Sequence, residues 1–265
     1  MLIVGELINA SRKLVASAIE AQDEQSIRKL ARAQAENGAH YIDVNAGVFQ
    51  RLEAEYLRWL IENVQGTVDL PCCIDSPDPR AIEACLSAHR GTAMINSISL
   101  ERKRCDDLLP LVAGTDLKIV ALCMGDSGMP RTAEDRIRTA EELIDRLLRS
   151  NVKIENIYVD PLVQPVAVDQ TFGKAFLAAI ETIMDRFPGV HTICGVSNVS
   201  YGLPMRKFLN QTFITMAVLK GLDAAILDPL DKRMMANVVA AEVLAGKDRF
   251  CMRFLNSYRD QRLAF

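Results

Sequence analysis

The sequence predicts an α/β protein, a single-domain (β/α)8 barrel of the TIM type with a short C-terminal extension. Three observations point there. Eight short apolar segments of strand-like composition recur along the chain, their starts roughly 20 to 40 residues apart. The intervening stretches are long enough for a loop and a covering helix, the repeat of a βα unit over a parallel sheet. No stretch rich in Pro, Gly or Ser interrupts the series, so residues 1–247 read as one barrel and 248–265 as an extension.

Taken in order, nearly all of the strand segments end on polar residues. The first covers 2–7 and is followed by Glu6 and Asn9 at its end; the second, 41–44, closes on Asp43 and Asn45. Asp75 follows the third (72–74) and Asn96 the fourth (93–95), while the fifth (119–124) ends on Met124. Asp160 follows the sixth (157–159), Ser197 and Asn198 the seventh (192–196), and Asp228 the eighth (224–227). Helices are expected between them, as at 133–148, where Ile137, Ala140, Ile144 and Leu147 share one face and Glu and Arg fill the other. A parallel barrel carries its active site at the carboxyl ends of its strands, so this row marks a pocket for a polar ligand. Asp, Asn and Ser at such junctions also cap the helices that follow. Capping suits Asp78 and, before the helix at Glu101, Ser99. It suits Asp43, Asn45, Asp75 and Asp160 less, because they close apolar runs several residues ahead of a helix.

The 265 residues leave room for one large barrel. Lys and Arg number 31 against 34 Asp and Glu, a formal charge of −3, which excludes the basic footprint of a nucleic-acid binder. Hydrophobic residues at 49% and charged residues at 25% describe a globular chain. No apolar run reaches the roughly 18 residues of a membrane span, and the apolar start is too short for a signal peptide. A cytoplasmic protein without membrane contact is expected. The seven cysteines form no C-x-x-C pair and read as reduced, mostly core thiols. Arg253, Arg259 and Arg262 of the extension read as solvated.

The acids stand without His or Cys companions, which argues against zinc and leaves an acid-only Mg²⁺ site as the weaker option. His40, His89 and His191 fall at strand starts or a helix end, so no base is at hand for a Ser or Cys nucleophile. Lys118 opens the fifth strand and points toward the opposite end of the barrel from any active site. No G-x-G-x-x-G follows the first strand, and no P-loop occurs. Acids set beside neutral amides suit a ligand that presents N–H groups to Asp and mixed donors and acceptors to Asn.

Six motifs in register then carry a resemblance. They are Val4-Gly5-Glu6-Leu7-Ile8-Asn9, Ile42-Asp43-Val44-Asn45, Ile74-Asp75-Ser76, Ala93-Met94-Ile95-Asn96-Ser97, Tyr158-Val159-Asp160-Pro161-Leu162 and Gly195-Val196-Ser197-Asn198-Val199-Ser200. With Arg206 and a helix start at Asn210-Gln211-Thr212-Phe213, the chain resembles the methyltetrahydrofolate:corrinoid protein methyltransferases and the folate module of cobalamin-dependent methionine synthase. It departs from them at Leu7, where their first strand usually has Arg, and at Asp126, where relatives offer a basic or amide residue.

The resemblance implies a pterin lying across the carboxyl end of the barrel, with Asp75, Asn96 and Asp160 on its pyrimidine edge and Asn198 as the catalytic amide at N5. Gly195, Ser197 and Arg206 are further substrate-binding candidates; Glu6, Asn9, Asp43, Asn45 and Met124 complete the mouth. The implied substrate is 5-methyltetrahydrofolate or tetrahydrofolate. The implied cofactor is a corrinoid (cobalamin) brought by a corrinoid-binding protein, since the D-x-H-x-x-G of cobalamin modules is absent, and no bound metal is expected. A homodimer is implied too. The alternatives are a non-catalytic folate-binding protein and a dihydropteroate synthase-like enzyme, whose Asn-Val-Thr-Pro-Asp-Ser-Phe and Ser-x-Arg motifs are missing.

Overall fold

A computed structural model describes residues 1–263, and among them eight parallel strands alternate with helices. The strands are β1 (Leu2–Asn9), β2 (Tyr41–Asn45), β3 (Cys72–Asp75), β4 (Met94–Leu100), β5 (Lys118–Gly125), β6 (Ile157–Asp160), β7 (His191–Thr192) and β8 (Ala224–Leu227). After β1 come α1 (Lys13–Glu20) and α2 (Glu24–Glu36), then one helix per strand: α3 (Glu53–Gln65), α4 (Pro79–Leu86), α5 (Arg102–Val112), α6 (Ala133–Arg149), α7 (Phe172–Arg186), α8 (Arg206–Leu219) and α9 (Lys232–Leu244). The strand order is β7-β6-β5-β4-β3-β2-β1-β8. One bridge, Gly195 to Ile226, closes the ring, with Ile226 N–H donating to the Cys194 carbonyl at 2.9 Å. The fold is a single-domain (β/α)8 barrel.

Strand alternation fixes what lies inside. Val4, Tyr41, Cys73, Met94, Val120, Tyr158, Ile193 and Ala224 form one inner cluster that plugs the amino-terminal end. Side chains two residues further along a strand share its face. The next inner ring is therefore Glu6, Asp43, Asp75, Asn96, Leu122, Asp160, Gly195 and Ile226. Residues of opposite parity, such as Ile42, Ile74, Ile95, Ile119 and Val159, pack outward against the helices.

The β1 register shifts between Gly5 and Ile8. There the Leu7 N–H donates to Gln34 Oε1 of α2 at 3.0 Å, and a Cβ on Gly5 would lie 2.4 Å from that oxygen. Only glycine lets α2 satisfy this displaced amide.

Three details differ from the sequence reading and one agrees with it. β7 stops at Thr192, because the apolar run continues into a short 3-10 helix, Val196–Ser200. The helix expected to start at Asn210 starts at Arg206, after Met205 in the left-handed region (φ 55°), which leaves Asn210 buried inside it. Ser99 caps nothing: it is a buried β4 residue whose hydroxyl donates to Glu101 Oε2 at 2.9 Å. Asp78 does cap α4, accepting the Arg80 N–H at 3.0 Å.

In the extension, α10 (Met252–Arg259) is tied down rather than loose. Asp248 accepts the N–H groups of Arg253 and Phe254, and Arg253 pairs with buried Glu242 at 2.7 Å, so this arginine is not simply solvated. Arg259 and Arg262 make only local contacts, to Asn256 and Asp260. Ala264 and Phe265, the end of the expected extension, lie outside the described residues. Six cysteines are buried and Cys251 is exposed. Among the described residues no helix is long and apolar enough to cross a membrane.

Candidate active site

The barrel mouth gathers acids that burial keeps from ionising at their ordinary pH. Asp43 is 2% exposed, and its Oδ1 has no hydrogen-bond partner. Burial, and then the neighbouring Asp75 charge, push its pKa well above the carboxylate range, against hydrogen bonds from Cys73 and Asn96. Asp75 is raised by burial as well, opposed by Asn45, whose Nδ2 donates to its Oδ2 at 2.9 Å, and by Arg104. Burial lifts Asp160 to about 7; the Leu162 N–H at 2.8 Å and the Arg136 charge work the other way. Glu6 is also raised by burial, against Arg12 at 3.0 Å and the Ser197 hydroxyl at 3.2 Å. A buried acceptor without a donor costs free energy until a ligand supplies one. Three buried carboxyls on one inner ring are suited to a ligand edge rich in N–H groups.

Asn198 sits on the 3-10 helix after β7, exposed at the mouth. Its Nδ2 lies 3.1 Å from where a Gly195 Cβ would stand, so the glycine leaves the amide room to fold over the site. Among the described residues this Nδ2 donates to no protein acceptor, leaving it available to a ligand. Asn96 is on the inner face of β4, beside Asp43, whose pKa it helps to lower. Met124 lies one strand step above Leu122, near the end of β5.

Other polar residues of the mouth are occupied. Asn9 Oδ1 accepts the Ser11 N–H at 2.9 Å and Asp228 Oδ1 the Leu230 N–H at 2.9 Å, both as turn caps. Arg206 is turned onto its own loop, with donors to the Ser197 carbonyl at 2.7 Å and to Ser200 Oγ at 3.2 Å. Asn45 Oδ1 accepts the Gly47 N–H at 3.1 Å.

A network behind the site escapes sequence reasoning. Arg104, in the first turn of α5, donates to the carbonyls of Ser97 (2.6 Å), Pro77 (2.6 Å) and Ser76 (2.8 Å). One guanidinium thus clamps the residues following Asp75 to the residue following Asn96. Buried Glu53 accepts the Ser76 hydroxyl at 2.5 Å and supports the same loop. An arginine at a helix start reads as solvated, and its carbonyl partners are distant in sequence.

The histidines all sit away from the mouth. His40 Nδ1 accepts the Ile3 N–H, His89 Nε2 accepts the Cys72 N–H, and His191 pairs with Asp223 at 2.6 Å. Lys118 lies at the amino-terminal end, donating to the Tyr158 hydroxyl at 2.8 Å. Among the described residues no three His, Cys, Asp or Glu side chains are arranged to hold a metal ion.

Comparison with known proteins gives the geometry a context. Residues 5–228 match the family described as pterin binding enzyme. The chain is 37% identical over 265 residues to methylcorrinoid:tetrahydrofolate methyltransferase of Eubacterium limosum, covering 99% of this chain and 98% of that one. It is 30% identical over 240 residues to methionine synthase of Mycobacterium tuberculosis, which is 86% of this chain but 20% of that protein. Among solved structures, dihydropteroate synthase of Xanthomonas albilineans with 4-aminobenzoic acid superposes with a TM-score of 0.69 at 17% identity, over 92% of this chain and 93% of that one. The Coxiella burnetii dihydropteroate synthase with pteroic acid gives 0.70 at 14% identity, with the same coverage. At those identities the synthases share the fold alone. An inner ring of buried acceptors on a barrel of this shape, and sequence similarity running nearly end to end, together make the chain a member of the pterin-binding enzyme family.

Proposed function

We propose that this protein is a methyltransferase that moves a methyl group between N5 of tetrahydrofolate and the cobalt of a corrinoid carried by a partner protein. The observation that carries the reading is the inner ring itself: Asp75, Asn96 and Asp160 at one level of the barrel, with the unspent amide of Asn198 at its rim. The 2-amino group and ring N–H of a pterin are donors that match these buried acceptors. Asp43, with its orphaned Oδ1, lies beside them. Gly195 and Ser197 shape the wall near the ring, and Arg206 fixes the loop.

When methyl leaves N5, the N–C bonding pair stays on nitrogen, which must gain a proton or a strong hydrogen bond. Asn198 donates that bond, where charge develops in the transition state. The corrinoid, brought by its own protein, supplies the nucleophilic cobalt. Exposed Leu14 in α1 and Val48, Met129, Val168, Tyr201 and Leu230 in the segments after β2, β5, β6, β7 and β8 put apolar surface on the carboxyl side of six strands, which supports docking of such a partner there. A second apolar stripe, Met205, Phe208, Met216 and Leu219 along α8, supports a homodimer. Six buried, unpaired thiols suit the reducing cytoplasm.

Stopped-flow mixing of methyltetrahydrofolate with Co(I) corrinoid, free and protein-bound, tests the reading. Protein-dependent loss of the Co(I) spectrum is expected. Tight folate binding without any spectral change, for free and for several protein-bound corrinoids, makes the chain a folate carrier instead.

A further inference from the structure

Among the described residues Arg136 is the largest fully buried side chain, and nothing in the reaction uses it directly. It stands in the first turns of α6, where the helix dipole disfavours a cation. No carboxylate pairs with it directly. Its NH1 donates to the Thr132 carbonyl at 2.9 Å and its NH2 to Gln164 Oε1 at 2.7 Å and the Leu162 carbonyl at 3.4 Å, while Nε has no partner. Taking a guanidinium out of water with no direct ion pair is costly, and the nearest carboxylate charges acting on it are those of Asp135, its neighbour on α6, and Asp160. Such an arrangement persists only where something nearby offsets it.

The offset lies one turn of chain away. Leu162 is held in the left-handed region (φ 62°), a strained position for a branched side chain. That conformation turns its N–H onto Asp160 Oδ1 at 2.8 Å and its carbonyl toward Arg136. The guanidinium therefore reaches the carboxylate through Leu162, and Asp160 is the buried acid it faces. The other titratable groups around Asp160 are Cys123 of β5 and Cys194 of β7, both kept as neutral thiols by burial.

We propose that Arg136 is a positioning residue for the pterin site, serving through the Leu162 turn as a buried cation that favours the anionic form of Asp160, with one oxygen tied back and the other aimed at the ligand. The inference rests on the assignment of Asp160 to the pterin edge. It adds a requirement that the assignment alone does not make. Burial lifts Asp160 to about 7, and the Leu162 N–H and the Arg136 charge both hold it below where burial alone would put it.

The test is the pH dependence of methyltetrahydrofolate affinity, measured by calorimetry on the whole protein. In the wild type, affinity should fall as pH drops below about 7, and Asp160→Asn should abolish that limb. Arg136→Gln keeps donors for Leu162 and Gln164 but removes the charge; its limb should move up by about one pH unit. Arg136→Lys keeps the charge and loses the fork, so its limb should stay near the wild-type position while affinity drops several-fold. If Arg136→Gln does not fold, Arg136→Lys carries the test, and an upward shift there overturns the proposal. A limb unmoved in folded Arg136→Gln, or one surviving in Asp160→Asn, overturns the role of Arg136 while leaving folate binding intact. A wild-type protein that binds no reduced folate overturns the substrate assignment itself.

Discussion

The two ends of the barrel treat their titratable groups oppositely. At the amino-terminal end each is matched within the protein: Lys118 with Tyr158, His191 with Asp223, Glu242 with Arg253, His40 with a backbone amide. At the mouth, Asp43, Asp75, Asp160 and Glu6 all have pKa values raised by burial, one oxygen has no partner, and an amide stands unspent. The difference separates polar groups that stabilise a fold from polar groups kept for something that arrives later. Paired groups have little left to offer, whereas unmatched buried acceptors raise the free energy of the empty protein and return it on binding.

The contrast predicts a graded series of effects. Asn198→Ala should slow methyl transfer about 100-fold or more, with a much smaller change in folate affinity, because its hydrogen bond matures only as N5 gains electron density. Single-turnover rates at saturating folate measure this; an equal loss in affinity would place Asn198 among the grips. Asp160→Ala should weaken folate binding about 10- to 100-fold by removing a charge-assisted acceptor, as read by calorimetry.

The third effect is on stability. Asp160 has a folded-state pKa of about 7, above its unfolded value, so between about 4 and 7 the native chain binds more protons than the unfolded one. Stability of the folate-free protein therefore falls as pH rises through that window. Asp160 alone should make the melting temperature higher by about 3 °C at pH 6 than at pH 8, and Asp160→Asn should remove that share of the slope, leaving what Asp43, Asp75 and Glu6 contribute. The smallest effect belongs to the matched end. Lys118→Met should change unfolding free energy by only about 1 kcal/mol in urea titrations and leave folate affinity unchanged. A large affinity loss there would break the contrast.

Much of this was readable from the chain alone, for a physical reason. Each strand must present an apolar side chain at the floor and, one period later, whatever faces the barrel mouth, so Cys73 then Asp75 and Tyr158 then Asp160 mark both a strand and a candidate site. The same logic misjudged β7, since Ile193, Cys194 and Val196 are apolar whether they continue a strand or turn into a 3-10 helix. The cap at Asp78 was legible because its partner is two residues away. Arg104 and Arg136 were not, because an arginine on a helix reads as solvated until distant carbonyls close around it. Arg253 hid for the same reason, its acid being eleven residues back on another helix.

The closure of the ring has its own consequence. Seven joints of the cylinder are laced by ladders, and the eighth, between β7 and β8, is hooked by the single Gly195–Ile226 bridge. Asn198 hangs three residues past that hook. The amide proposed as donor to N5 thus stands beside the least-laced joint of the wall, while the proposed grips on β3, β4 and β6 are bound on both sides by ladders.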